Sequence, residues 1–165
     1  MSDCCSNQSP KIVAKVCPKC GVSCKNVEHK TLFHQVKFPE NQAAFQENYY
    51  FCPTKECSVG YFSSADDIIP KQFLRTCQEI ETDKLCYCFD INTEQYLSAL
   101  KANNAETIKN FVFQKTKSGV CACEIKNPSG QCCLTKFKML EKNTVSRDRD
   151  GNADMNTRHQ PSFKS

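Results

Sequence analysis

Cys86-Tyr87-Cys88, followed by Cys121-Ala122-Cys123-Glu124-Ile125-Lys126-Asn127-Pro128-Ser129-Gly130-Gln131-Cys132-Cys133, gathers six of the chain's 14 cysteines around two tight turns. Thiols this dense, in a chain that opens without a basic and then apolar leader, read first as ligands for soft metal ions. An all-thiolate iron–sulfur centre needs four cysteines, delivered by loops that cover it on most sides. A C-x-C turn can serve one iron without strain. The thirty-four residues between Cys88 and Cys123 are enough for a helical hairpin that returns the chain with the remaining ligands.

That hairpin is written in the periodicity. A helix over 92–102, capped by Asn92 or Thr93, sets Tyr96, Leu97 and Leu100 on one stripe. Asn103 and Asn104 end it. A second short helix capped by Asn104 then presents Ile108, Phe111 and Val112 on one face. Beyond the Asn127–Gly130 turn, Cys133, Phe137 and Leu140 fall at i, i+4 and i+7 of a third helix.

Earlier in the chain the pattern changes to strand, thiol turn, strand. Cys17-Pro18-Lys19-Cys20-Gly21 is a C-x-x-C-G turn in which glycine permits the positive φ that closes the reversal, and Cys52-Pro53-Thr54-Lys55-Glu56-Cys57 supplies a second pair. Short apolar runs flank them: Ile12 to Val16, Tyr49-Tyr50-Phe51 and Val59-Gly60-Tyr61-Phe62. Cys17, Cys20, Cys52 and Cys57, arriving as two turns on paired strands, give the closed tetrahedral coordination that structural zinc favours. Cys24, His29 and His34 lie near enough in sequence to substitute. Cys24 reads more simply as a small buried hydrophobe, and the histidines as ordinary surface or core side chains. A copper-carrying M-x-C-x-x-C loop is not matched, because Lys15 stands where the methionine belongs.

Composition narrows the function. At 165 residues, with a hydrophobic fraction of 39% that includes the cysteines and no Trp, the ordinary core is thin and metal stapling supplements it. Twenty-two basic residues against 18 acidic ones leave a net charge of +4, without the aromatic-interleaved basic run of a nucleic-acid binder. No stretch approaches the ~18 apolar residues of a membrane span, so a cytoplasmic location is expected. Paired carboxylates, a Ser-His-Asp arrangement and a phosphate-cradling glycine loop are not found, which points away from a catalyst. The expected class is α+β: a flexible N-terminus (1–10), a small zinc-stapled β module (11–63), a connecting segment (64–85), a helical iron–sulfur module (86–143) and a disordered tail (144–165).

Two related families resemble these residues. Cys86-Tyr87-Cys88-Phe89, the helical hairpin and the later cysteines are similar to the [2Fe-2S] domain of bacterioferritin-associated ferredoxin. The fuller likeness is to the N-terminal domain of CopZ-type copper chaperones. It is carried by Cys17-Pro18-Lys19-Cys20, Tyr50-Phe51-Cys52, Cys57 to Phe62, Cys86-Tyr87-Cys88, and Cys123 through Asn127-Pro128-Ser129-Gly130-Gln131-Cys132-Cys133, and runs from about residue 15 to 142. The resemblance implies a zinc site plus a [2Fe-2S] cluster held by Cys86, Cys88, Cys123 and one of Cys132 and Cys133. Helical phase favours Cys133, which shares a stripe with Phe137 and Leu140, over Cys132, which shares one with Lys136. Cys77 and Cys121 become non-ligand thiols or redox partners.

The family's copper-carrying domain has no counterpart in the polar tail, so copper transfer is not carried over. A module for one-electron transfer or metal-ion handling remains, with a redox partner protein or a metal-transport protein as its partner. Two other readings use the same thiols: an all-zinc structural or interaction protein, and a copper or mercury buffer drawing on Cys4, Cys5, Cys121 and Cys132.

Overall fold

The computed structural model describes residues 13–43 and 46–150. Five strands, β1 (Ala14–Val16), β2 (Ser23–Val27), β3 (Tyr49–Phe51), β4 (Val59–Ser63) and β5 (Ile68–Pro70), lie side by side in sequence order. Every neighbouring pair is antiparallel. β3 and β4 are buried along their whole length, because both faces of the sheet are covered. Side chains alternate between those faces. Tyr50 pairs across the strands with Phe62, rings stacked at 5.4 Å, and Phe51 with Tyr61 at 5.6 Å. The first pair packs with Cys17, Cys24, Cys52, Cys57 and Val59. The second packs with Val27, Leu32, Val36, Tyr49, Leu74 and Ile80. Each fully buried side chain of this size contributes roughly 1.5–3 kcal/mol, so these aromatic ladders stabilise both faces.

The segment over 64–85 differs from its expected role as a connector. Its residues form β5, a 3₁₀ turn at Lys71–Phe73 and the short helix α2 (Cys77–Glu81), and Leu74 is fully buried against the sheet. The apolar positions are sparse and interrupted by Pro70, so no periodicity announces them; the β4 edge selects them by pairing. A helix between the two cysteine pairs, α1 (His29–Gln35), likewise has too short an apolar stripe to stand out.

The second half begins with the hairpin β6 (Lys84–Cys86) and β7 (Ile91–Asn92), and continues through α3 (Thr93–Lys101), α4 (Ala105–Lys117), α5 (Cys123–Lys126) and α6 (Leu134–Asp150). Asn92 caps α3 in a capping box: its side chain accepts from the Gln95 amide while the Gln95 side chain accepts from the Asn92 amide. Leu85, Tyr96, Ala105, Val112 and Phe137 form the core together with Cys86 and Cys133. The Tyr96 and Phe137 rings meet edge to face at 4.6 Å. Val112 takes the central place expected for the α4 face, whereas Phe111 lies 47% exposed.

The chain over 144–150, expected to be tail, continues α6. The helix is anchored at its start by Phe137, and no glycine or proline precedes Gly151 to stop propagation. Thr144 Oγ1 donates to the Leu140 carbonyl at 2.9 Å. The expected flexible N-terminus (1–10) and the remainder of the tail (151–165) lie outside the described residues. Among the described residues, no helix is long and apolar enough to cross a membrane.

Glu141 ties α6 to its neighbours, accepting from Tyr96 at 2.8 Å and pairing with Lys109 at 2.9 Å. Desolvation raises its pKa, but the hydrogen bonds from Lys109 and Tyr96 and the Lys109 charge outweigh it, and the carboxyl is held below its usual range. A depressed folded-state pKa contributes stability above the unfolded value of about 4.3, lost as pH falls through the folded value. Glu141→Gln should therefore be less stable than the parent at pH 7. The gap should close as pH falls below about 4, read by urea unfolding of both chains across that range.

Candidate metal centres

The front site assembles on the sheet. Cys17 follows β1, and its turn is closed by the Gly21 amide on the Cys17 carbonyl at 3.0 Å and the Cys17 amide on the Val22 carbonyl at 2.9 Å, with Gly21 at φ +74. Cys52 follows β3 and Cys57 precedes β4, so the second turn hangs from the buried aromatic pair. The four Sγ atoms all lie within 4.8 Å of one another. Cys17 and Cys57 are 4.0 Å apart, and Cys20 and Cys52 3.5 Å. Zinc–sulfur bonds of about 2.3 Å in a tetrahedron set sulfurs about 3.8 Å apart, so the donor set fits one such ion.

Charge reinforces the fit. Hydrogen bonding from Thr54, whose hydroxyl lies 3.5 Å away, and from the Val22 amide pulls the exposed Cys20 thiol down to about 6; burial pushes Cys52 up. Lys71, which sequence reasoning passed over as a linker residue, is 5% exposed and donates to the Thr54 and Lys55 carbonyls at 2.5 and 3.1 Å. An ammonium beneath the second turn offsets the negative charge of four thiolates. No sequence pattern marks it. Cys24 is buried beside the site, donates to the Val22 carbonyl at 3.4 Å, and is pushed up to about 11 by burial and by Cys17. His29 and His34 are exposed on α1, away from the four thiols. Lys15 is committed to the Ser63 and Ser64 carbonyls and pairs with Asp66.

In the second half the structure brings Cys86, Cys88, Cys123 and Cys133 together. Cys88 and Cys123 Sγ are 3.7 Å apart, and the Ala122 amide donates to Cys88 Sγ at 3.3 Å. The proximity of Cys133 pulls the Cys123 and Cys86 thiols down, to about 5 and about 7, while its own thiol is driven strongly up by the same two neighbours. Cys88 rises through burial. Cys86, Cys123 and Cys133 are buried, Cys88 is partly exposed, and Cys132 is exposed. Among the described residues, only the front four have three or more ligating atoms all within 4.8 Å of one another, so the second set is more extended.

The Asn127–Gly130 turn that delivers Cys133 is seated on the sheet half. Tyr61 Oη donates to the Pro128 carbonyl at 2.5 Å. Gln35 Nε2 donates to the Ile125 and Lys126 carbonyls at 2.8 and 3.2 Å, and its Oε1 accepts from Thr76 at 2.5 Å. Asn127 satisfies the turn from within, accepting from the Ser129 amide and hydroxyl and donating to the Gln131 carbonyl. Gly130, at φ +67, lies against Thr31 so closely that a Cβ there would come 2.7 Å from Thr31 Oγ1.

A family described as Zinc binding domain (zf_CopZ) matches residues 14–75. The X-ray structure of the Archaeoglobus fulgidus CopZ N-terminal domain is similar to this chain with a TM-score of 0.60 and 25% identity, over 77% of this chain and 98% of that one. No curated protein sequence matches. These likenesses and the front tetrad support a CopZ-type zinc-binding domain in an α+β fold.

Gly130→Ala should destabilise the metal-loaded chain by about 2–3 kcal/mol, combining left-handed strain with the Thr31 overlap. Thr31 Oγ1 is buried without a hydrogen-bond partner, so its removal leaves no donor or acceptor stranded. Adding Thr31→Ala should return about 1 kcal/mol or more, leaving only the backbone strain. Denaturant unfolding of the two single variants and the double variant gives the coupling directly.

Proposed function

We propose that the chain is a two-centre metalloprotein working in one-electron transfer or metal-ion handling. Cys17, Cys20, Cys52 and Cys57 hold structural zinc. Cys86, Cys88, Cys123 and Cys133 hold a [2Fe-2S] cluster, with Cys132 left as a neighbouring free thiol. The difference in shape between the two thiol sets carries this reading. A compact tetrad suits one tetrahedral ion, whereas a two-iron cluster divides its thiolates into pairs, one pair to each iron.

Each residue has a definite task. Cys86 and Cys88 approach from the β6–β7 hairpin, and Cys123 and Cys133 from the start of α5 and the approach to α6. Before metal binds, Cys133 is the protonated neighbour that leaves Cys86 and Cys123 toward the thiolate form a soft cation requires, and it gives up its own proton when it ligates. Tyr61, Gln35 and Asn127 hold the returning turn in place. When bound, the cluster supplies a one-electron donor and acceptor, which suits a redox protein or a metal-transport protein as partner. Free thiols at this density belong in a reducing compartment, consistent with the cytoplasm. Copper carriage through an M-x-C-x-x-C loop is not part of the reading, since Lys15 fills the methionine position and is tied to Ser63 and Ser64.

Anaerobic purification, metal and sulfide analysis and a visible spectrum test it. About two irons, two acid-labile sulfides and one zinc per chain are expected, with a red-brown colour. Cys123→Ser should abolish the visible bands and leave zinc in place, because the sheet carries its own core. Cys52→Ser should lose zinc and weaken the cluster too, since the Asn127–Gly130 turn rests on that sheet. A colourless protein holding only zinc would replace the reading with an all-zinc interaction protein.

A further inference from the structure

Cys88 is the least covered of the four second-site thiols. Ala122 donates its amide to Cys88 Sγ, and Val120, two residues earlier, donates its amide to the Lys115 carbonyl at 3.1 Å. Lys115 Nζ lies 5.8 Å from the centre of the Phe111 ring, and Phe111 meets Phe89 edge to face at 5.4 Å. Phe89 directly follows Cys88. The chain thus leads from Cys88 through Ala122 and Val120 to Lys115 and Phe111 and back through Phe89, with Phe111 47% and Val120 61% exposed to solvent.

The chain segment that carries Phe111 and Val120 is positively charged. Between Glu106 and Glu124 the chain carries Lys109, Lys115 and Lys117 and no carboxylate. Lys109 is neutralised by Glu141, which leaves Lys115 and Lys117 as exposed positive groups beside the apolar patch. The nearby Asp90 is paired with Lys84. An apolar centre with a basic rim fits a protein surface with an apolar centre and acidic rim.

We infer that Phe89, Phe111, Lys115 and Val120 form the docking face for an acidic redox protein that exchanges one electron with the second centre through its Cys88 edge. The inference rests on the [2Fe-2S] reading above. A membrane surface would also accept lysines and aromatics, but it gives no reason for the patch to close around the least covered thiol. In the exchange no bond forms or breaks: a reduced flavin of the partner is oxidised by one electron and the cluster is reduced by one.

Stopped-flow bleaching of the cluster by reduced flavodoxin, a small acidic electron donor, tests this on the full chain with its visible spectrum recorded first. The second-order rate should fall roughly tenfold or more from low salt to about 0.5 M. Lys115→Glu should slow it roughly fivefold at low salt, and Phe111→Ala should slow it severalfold while keeping the salt dependence. Lys37→Glu, an equal charge change on the Gln72 side of the sheet, should stay within about twofold. Equal effects of Lys115→Glu and Lys37→Glu, or a rate indifferent to salt, would overturn the docking face while a visible spectrum keeps the cluster. Salt-sensitive binding to phosphatidylglycerol vesicles that Lys115→Glu abolishes, without an effect on electron transfer, would assign the face to membranes instead. A colourless chain sinks both the cluster and the docking face.

Discussion

Mutual repulsion between ionised thiols is the constraint on which both halves of the molecule depend. Sulfurs 3.5–4.0 Å apart cannot all carry charge in a partly buried place. Each set resolves this by sharing protons: Cys20 is pulled down while Cys52 is pushed up, and Cys123 is pulled down while Cys133 is pushed up. A cation at the centre removes the need for those protons, and its binding free energy becomes folding free energy. The thin apolar core is consistent with that arrangement, since seven of the buried core positions are cysteines.

The two halves are not beads on a string. Tyr61 is at once a member of the sheet's aromatic ladder and the donor to Pro128, so one side chain connects the strand that follows the front turn with the loop that delivers Cys133. Gln35 does the same from α1, and its buried amide is fully used between Thr76 and the α5 carbonyls. Buried polar groups satisfied across an interface fix its geometry, because displacing the turn would leave a tyrosine hydroxyl, a glutamine amide and three carbonyls without partners. The second centre is therefore positioned by residues of the first half, and the direction of that dependence is not symmetrical.

Sequence made the α3 capping box, the Tyr96 stripe, the Tyr50–Phe51 and Tyr61–Phe62 strands and the convergence of two thiol sets legible. Each of those features is local, or is announced by a rare residue at diagnostic spacing. What sequence hid depends on partners far away. β5 is a strand because β4 offers it an edge, Lys71 is a buried ammonium because two carbonyls of the thiol turn meet it, and Phe111 is exposed because Val112 fills the core. Over 144–150 composition suggested a frayed tail, but helix propagation from an anchored turn needs only the absence of a breaker. The zinc-type tetrad could be read from two C-x-n-C turns. The seat of the Asn127–Gly130 turn could not, because Tyr61 and Gln35 look in sequence like ordinary core and helix residues.

Exposure has different consequences at the two sets. Cys20 is the open member of the front four, yet zinc has no accessible redox change, so that opening exposes only a hydrogen-bonded thiolate. At the second set the open member is Cys88, and an iron–sulfur cluster exchanges electrons most readily where a ligand approaches the surface. Under the proposed reading, openness at a ligand is without consequence for a redox-inert ion and gives a route for exchange at a cluster. At Cys88 the adjoining rings are Phe89 and Phe111, with Lys115 over the latter, whereas Cys20 lies against the small polar Thr54 and the neighbouring Lys19 is engaged with Ser58.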